Sequence, residues 1–253
     1  MDNAHNALRY KFGLVGKNID YSFSRGYFAQ KFKTEALPHS YVNFDLNHIE
    51  DIITVFESTE NLKGLNVTIP YKETIIPYLD RLSKKAKAIG AVNTIRFTKT
   101  GKRIGYNTDC YGFKKALKPH LKSHHKKALI LGTGGASKAV AYTLGNLGIA
   151  FKYVSRTSKG SNTLSYDSLS NSIVKDHRII INCTPLGTFP NVEDCPNIPY
   201  EGISEHHILF DLIYNPEVTS FMQKGLQNYA TVLNGLEMLK GQAEKSWAIW
   251  NRP

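Results

Sequence analysis

The chain has 253 residues, 42% hydrophobic and 21% charged, which is the composition of a folded globular protein and excludes a wholly disordered one; a chain this long buries roughly 70–75% of its extended surface and needs no disulfide or metal staple. Its longest uncharged helix-like stretch, Ala139–Phe151, falls short of the ~18 apolar residues that cross a bilayer, so no membrane partner is expected. Lysine and arginine number 32 against 21 aspartates and glutamates, a formal charge of +11 that favours anionic partners.

No basic lead into an apolar core opens Met1-Asp2-Asn3-Ala4-His5-Asn6, so no signal peptide is expected. Cys110, Cys183 and Cys195 show no CxxC spacing, which fits a reducing cytoplasm. The densest basic run, Lys114 to Lys127, comes without zinc-finger spacing, an RNA-recognition motif or a basic heptad region, so no specific nucleic-acid partner is expected.

In chain order, Arg9–Val15 reads as a strand, and Ser24 is placed to cap a helix that ends before Pro38. Tyr41–Asp45 alternates as a strand, and His48–Glu57 has helical spacing. Leu65–Ile69 is a strand stopped by Pro70, and Ala91–Phe97 another that turns at Thr100-Gly101. Strands separated by helices predict a mostly parallel sheet. A domain seam is expected near Tyr106, where a second alternating series begins. Ala128–Leu131 is a short buried strand running into Gly132, and a helix follows it. Phe151–Val154, Arg178–Asn182, His207–Asp211 and Thr231–Leu233 are further strands. Ser155–Ser172 mixes loop with a short helix, and Pro190–Pro199 reads as a surface loop. Val218–Tyr229 and Leu236–Trp250 are helical, with Trp247 and Trp250 on one face as packing residues. The fold class is α/β.

Gly132-Thr-Gly134-Gly135-Ala136-Ser137 stands where a strand ends and a helix begins. Glycine at the first position permits a tight turn, and at the third a close backbone approach to a pyrophosphate; the helix N-terminus then offers free N–H groups to phosphates. An acid about 20 residues past the first glycine would bind a free ribose 2′-hydroxyl. The chain instead reads Ser155-Arg156-Thr157-Ser158-Lys159. Arg156 carries the planar fork suited to a phosphate, with hydroxyl donors beside it, so NADP is the expected cofactor. Asn182-Cys-Thr184-Pro-Leu-Gly187 follows a strand and reads either as a plain turn or as a loop lining the ligand crevice.

Three further segments bring polar side chains to strand ends: Gly64-Leu-Asn66-Val-Thr68-Ile-Pro70-Tyr-Lys72, Gly90-Ala-Val-Asn93-Thr94 and Gly105-Tyr-Asn107-Thr108-Asp109. Taken singly, Lys72 reads as a surface lysine, Asn93 as a turn former and Asp109 as a helix N-cap. Taken in order with Gly132–Ala136, Asn182–Gly187, Asp211-Leu-Ile-Tyr214-Asn-Pro216 and Asn234-Gly235-Leu-Glu-Met-Leu-Lys-Gly-Gln242-Ala243, they resemble the shikimate dehydrogenase family across nearly the whole chain.

That resemblance implies an N-terminal α/β substrate-binding and catalytic domain, 1–106 with 235–253, and a Rossmann-like NADP-binding domain, 107–234. It implies reversible reduction of 3-dehydroshikimate to shikimate with NADPH, in aromatic amino-acid (chorismate) biosynthesis. Lys72 and Asp109 are the implied catalytic pair, and the chemistry agrees: ketone reduction puts negative charge on oxygen, which an ammonium stabilises and protonates. Ser22, Ser24, Thr68, Asn93, Tyr214 and Gln242 complete the implied substrate pocket. Gly132, Gly134, Gly135, Ala136, Ser155, Arg156, Thr157 and Thr184 hold the cofactor, with Gly235 near its nicotinamide. The reaction implies no metal, and His120 and His124, four apart, have no third ligand in the sequence. A monomer or homodimer is expected. The family often reads H-S-x-S-P where this chain has Tyr21-Ser22-Phe23-Ser24-Arg25: both serines stay, while the histidine and proline do not. A relative acting on quinate or another cyclic hydroxy acid is the alternative reading; a non-catalytic NADPH sensor is disfavoured by the presence of both Lys72 and Asp109.

Overall fold

The computed structural model describes residues 8–20, 22–157 and 160–252; residues 1–7, Tyr21, Ser158, Lys159 and Pro253 lie outside them. The chain divides into two compact units, Met1–Thr108 with Ala243–Pro253, and Asp109–Gln242. No helix among the described residues is long and apolar enough to cross a membrane.

In the first unit, β1 (Lys11–Gly16), α1 (Phe23–Thr34), β2 (Ser40–Asp45), α2 (Ile52–Ser58) and β3 (Leu62–Val67) are followed by β4 (Arg81–Leu82), α3 (Lys84–Ile89), β5 (Thr94–Phe97) and β6 (Arg103–Tyr106). The sheet order is β2-β1-β3-β5-β6-β4. β1 runs parallel to β2 and β3, whereas β5 is antiparallel to both β3 and β6. β4 pairs parallel with β6, so β5 alone runs against the other strands and the sheet is mostly parallel, as expected, with one antiparallel strand. The turn closed by Thr98 N–H to the Lys102 carbonyl at 2.9 Å is far too short for a crossover, so β5 and β6 form a hairpin. The strand expected from Ala91 begins only at Thr94, because Val92 N–H bonds the Lys72 carbonyl at 2.7 Å instead of entering the ladder.

The cap of α1 is Ser22, not Ser24. Ser22 has extended backbone (ψ 123°) and its hydroxyl accepts from Arg25 N–H, while Ser24 lies inside the first turn and is buried. A 3₁₀ turn, Ile49–Asp51, opens the segment leading into α2. Phe28 and Phe32 of α1 pack on Phe12 of β1 and Tyr41 of β2. Phe28 stacks on Tyr41 at 4.7 Å, and Trp250 packs on Phe12 at 4.9 Å. Trp250 is the last residue of α8 (Leu236–Trp250) and donates Nε1–H to the Ile95 carbonyl at 2.9 Å, so its one polar group is satisfied in the apolar cluster. The opposite face of the sheet is covered by Ile52 and Val55 of α2, Ala86 of α3, and Ile75.

The second unit contains α4 (Asp109–Leu117), β7 (Lys127–Leu131), α5 (Gly135–Asn146), β8 (Ala150–Ser155), β9 (Thr163–Ser165) and α6 (Asn171–Asp176). It continues with β10 (Ile179–Asn182), β11 (Ile208–Asp211), α7 (Ser220–Gln227), β12 (Thr231–Leu233) and the first half of α8. Every strand pair is parallel, and the order is β12-β11-β10-β7-β8-β9. Renumbered from β7, this is the 3-2-1-4-5-6 order of a doubly wound dinucleotide fold, whose direction reverses between β7 and β10. The strands are apolar on both faces, as parallel strands between helical layers must be. Ala128, Ile130, Ile181 and Phe210 face α4 and α5; Leu129, Leu131, Ile180 and Leu209 face α6 and α7. Strand β9 lies within the serine-rich stretch read as loop and short helix.

One buried carboxylate ties the carboxyl ends of this sheet together. Asp211 accepts from Asn182 Nδ2 at 3.1 Å, Ile213 N–H at 3.0 Å and the Thr219 hydroxyl at 2.7 Å. Thr219 in turn caps α7 by accepting from Met222 N–H. Burial pushes the Asp211 pKa up to about 6, against the three hydrogen bonds that favour its charged form. Between the ordinary carboxylate range and pH 6 the folded chain therefore holds a proton that the unfolded chain releases, so stability from this group is full in acid and lost as pH rises through 6. A shift of about two units corresponds to about 3 kcal/mol. Burial of His125 and His207 lowers their pKa values, which acts in the opposite sense, with stability lost as pH falls below about 6.5. The difference between parent and Asp211→Asn isolates the aspartate. In urea titrations this variant should gain on the parent by about 2–3 kcal/mol between pH 4 and pH 7.5; a difference independent of pH would show that Asp211 does not titrate in this window.

Candidate functional site

In the first unit the candidate residues gather where β3 and β5 meet. Thr68 leaves β3 and opens a tight turn, its carbonyl accepting from Tyr71 N–H at 2.9 Å, and Lys72 follows. The bond from Val92 N–H to the Lys72 carbonyl sets Lys72 next to the Val92-Asn93 segment, and the Asn93 carbonyl accepts from Val67 N–H at 2.9 Å. Thr68, Lys72 and Asn93, far apart in sequence, are thereby brought to the carboxyl end of one strand.

The Asn93 side chain is 2% exposed and its orientation is set by its neighbours. Its Oδ1 accepts from Thr108 N–H at 2.7 Å, from the Thr108 hydroxyl at 3.2 Å and from the Thr94 hydroxyl at 3.1 Å. The amide nitrogen is turned the other way. Behind it, the Ser246 hydroxyl of α8 lies 2.8 Å from Thr94 Oγ1 and 3.1 Å from Thr108 Oγ1. Asn66 Nδ2 donates to Ser246 Oγ at 3.0 Å and to the Asn93 carbonyl at 3.2 Å. Asn66 Oδ1 accepts from the Tyr41 hydroxyl at 2.9 Å. Buried polar groups are costly unless paired, so this network holds Asn93 in one rotamer and links Tyr41 to it through Asn66. Asn66, Thr94 and Thr108 stood inside the segments singled out from sequence, but nothing local says that their side chains meet. Tyr41 and Ser246 carried no signal at all.

In the second unit, Asp109 is the first residue of α4 and is 5% exposed. Gly132 closes β7 with φ +102°, a left-handed backbone that favours glycine. A side chain there would come within 3.2 Å of the Thr184 methyl, so the β7 loop and the Asn182–Gly187 loop are neighbours at the point where strand order reverses. Asn182 Oδ1 accepts from both Thr184 N–H at 3.0 Å and the Thr184 hydroxyl at 2.6 Å, while its Nδ2 is held by Asp211.

Gly134 caps α5 with extended backbone, and space is open around its α-carbon. Gly135 and Ala136 follow as the first helical residues, whose N–H groups have no intrahelical acceptor. Ser137 is fully buried and returns its hydroxyl to the Gly134 carbonyl at 2.6 Å, which tightens the turn where the nucleotide motif usually has its last glycine. Ser155 spends its hydroxyl locally, donating to the Thr157 carbonyl at 2.9 Å and accepting from Thr157 N–H at 3.2 Å; the turn leaves Arg156 and Thr157 exposed. Free helix N–H groups, an open glycine cradle and an exposed guanidinium at the end of the next strand are the donor set that a dinucleotide with a 2′-phosphate requires.

Gly235 N–H bonds the Ile213 carbonyl at 2.9 Å, and any β-carbon on Gly235 would strike the Leu212 carbonyl, so this close crossing admits only glycine. It holds the segments carrying Tyr214 and Gly235 together. Gln242 is buried near the middle of α8. Among the described residues no three His, Cys, Asp or Glu side chains converge in a way that could hold a metal ion.

Comparison with known proteins gives these features a family. Residues 14–95 match the profile of the shikimate dehydrogenase substrate binding domain. The shikimate dehydrogenase (NADP(+)) of Methanosphaera stadtmanae is 36% identical over 256 residues, covering 94% of this chain and 90% of its own. Among solved structures, shikimate dehydrogenase 1 from Peptoclostridium difficile is 38% identical with a TM-score of 0.81, over 95% of this chain and 91% of that one. A shikimate 5-dehydrogenase from Thermus thermophilus, solved in complex with NADP(H) and shikimate, is 28% identical with a TM-score of 0.85, over 96% and 93%. With both units and their order covered by such relatives, this chain belongs to the shikimate dehydrogenase family.

Proposed function

We propose that this chain catalyses the reversible NADPH-dependent reduction of 3-dehydroshikimate to shikimate, with Lys72 as the acid–base group and Asp109 as its partner. The observation that carries the reading is the locked Asn93 amide beside the Lys72 segment at the carboxyl end of β3. A polar side chain fixed by three hydrogen bonds costs nothing to reorganise when a ring hydroxyl arrives, which is what a positioning group needs. The binding of NADP(H) and shikimate by the Thermus relative supports the same substrate and cofactor here.

Residues 1–106 and 235–253 form the substrate-binding part and residues 107–234 the cofactor part in this reading. The helix N-terminus at Gly134, Gly135 and Ala136 holds the pyrophosphate. Arg156, on the turn braced by Ser155, pairs with the 2′-phosphate beside Thr157. Thr184 and Gly235 flank the nicotinamide. Bound NADPH supplies the hydride. Ketone reduction leaves negative charge on the substrate oxygen; the Lys72 ammonium stabilises it and gives up a proton, and in the reverse direction the neutral amine takes that proton back. Asp109 orients Lys72 and holds a ring hydroxyl. Ser22 and Ser24 take the substrate carboxylate, and Thr68, Asn93, Tyr214 and Gln242 close around the ring. Three unbridged cysteines, Cys110, Cys183 and Cys195, support a reducing, cytoplasmic setting.

Two measurements test this reading. With shikimate as substrate, the parent should turn over NADP in preference to NAD, and Arg156→Ala should raise the KM for NADP roughly 10–100-fold, the loss of charge-assisted bonds worth ~1.5–3 kcal/mol, while leaving NAD kinetics nearly unchanged. Equal parental use of NAD would refute the 2′-phosphate site. Lys72→Ala should lower kcat by about 10²–10⁴ with a smaller change in KM. Asp109→Asn should lower kcat as well, and the double variant should lose less than the two single losses combined, because the residues act as a unit. A folded Lys72→Ala protein with parental kcat would end the proposed mechanism.

A further inference from the structure

We propose that Asp45 is a positioning residue for the substrate: it clamps the loop between β1 and α1 so that Ser22 and Ser24 stand ready to take a carboxylate, a role that rests on the assignment of those two serines to the substrate carboxylate. The loop leaves β1 at Gly16, where any β-carbon would strike the Thr68 methyl. Lys17 N–H then bonds the Ile69 carbonyl at 3.2 Å. The segment that leads to the serines therefore starts against the turn that carries Thr68 and runs on to Lys72.

Asp45 holds the same loop from the other side. It is the last residue of β2 and stands opposite Gly16 in the ladder. Its Oδ1 accepts from Asn18 N–H at 2.9 Å and its Oδ2 from Ile19 N–H at 3.0 Å. Asn18 has φ +55°, a left-handed backbone that residues with a side chain seldom adopt and asparagine tolerates best. That turn lets two consecutive N–H groups meet one carboxylate, a charge-assisted pair of bonds. The Ile19 carbonyl is engaged as well, accepting from Asn43 Nδ2 at 2.7 Å and from Ser22 N–H at 3.1 Å. The second of these bonds sets Ser22 at the start of α1. Asn43 keeps its bond although its own Oδ1 is buried without a partner, so the amide is committed to holding the loop.

The clamp ends on a hydroxyl with a proton to give. Ser22 Oγ accepts from Arg25 N–H, and a hydroxyl that accepts in this way still has its O–H to donate. Arg25 stands where the family often has proline. Its Nη2 donates to the Asp20 carbonyl at 2.9 Å and so ties the loop to α1 a second time. The first turn of α1 contains no acidic residue, which leaves its positive end to an incoming anion. Asp45 acts through Ile19 and Ser22 rather than by touching the substrate.

Steady-state kinetics with shikimate and NADP test the role. Asp45→Ala should raise the KM for shikimate about tenfold, with kcat within about twofold of the parent and the KM for NADP unchanged, because the clamp serves ground-state and transition-state binding alike. Asp45→Asn keeps the shape and one acceptor, and its KM should fall between the two. Ser22→Ala combined with Ser24→Ala should raise the KM further. Adding Asp45→Ala to that background should change it by less than about twofold, since residues that act through one another are not additive. Each variant should keep the parental circular dichroism spectrum. If the double serine variant retains the parental KM, the carboxylate assignment fails and takes this proposal with it. If that variant loses binding while folded Asp45→Ala and Asp45→Asn keep the parental KM, lower kcat as strongly as they raise KM, or Asp45→Ala has its full effect without the serines, the positioning role alone is overturned.

Discussion

The buried hydrogen-bond network around Asn93 is the constraint on which the first unit's polar edge depends. Thr94 and Ser246 are wholly inaccessible and Asn66 and Asn93 nearly so, so each must find partners inside the protein or carry the full cost of desolvation. They find them in one another. Satisfying Asn93 fixes where the Asn107-Thr108 segment runs, where α8 sets Ser246, and how the β5 entry lies against the end of β3. Removing one member would strand the others, which is why the network specifies a single arrangement of strand ends rather than a family of similar ones.

The second unit solves the same problem with a carboxylate. Its strands are too apolar to provide polar partners along their length, so the polar groups concentrate at their carboxyl ends. There Asn182, Thr184, Asp211 and Thr219 form a chain from the β10 loop to the cap of α7. Asp211 carries this arrangement at the expense of its own ionisation, since burial opposes its charge more strongly than three donors favour it. The loops at the switch point are thus held by side chains one strand further along the sheet, while the glycines at Gly132 and Gly134 keep the approach to the helix N-terminus open. Rigidity and access are supplied by different residues.

α8 has a double duty that its sequence pattern only half reveals. Its apolar face, ending in Trp250, completes the aromatic cluster with Phe12 and Phe28, as the spacing of Trp247 and Trp250 suggests. Its Ser246 enters the polar network, and an isolated serine in an amphipathic helix reads as surface. Small polar residues are ambiguous in this way because their role depends on what lies opposite them, often more than a hundred residues away in the chain.

The sequence by itself determined the α/β class, the strand–glycine–helix turn after β7 and nearly every element of the second half, because hydrophobic runs and glycine-bearing turns are local signals that need no knowledge of the partner strand. Ordered motifs along the whole chain also carried the family. Tertiary structure alone decided that the first sheet is mixed, that Ser22 rather than Ser24 caps α1, and that Asn66, Thr94, Thr108 and Ser246 form one network. Each of these depends on which backbone or hydroxyl group happens to face which other across the fold. Pairing direction, cap choice and buried hydrogen bonds are settled by competition among non-local partners, and periodicity along a chain contains no record of that competition.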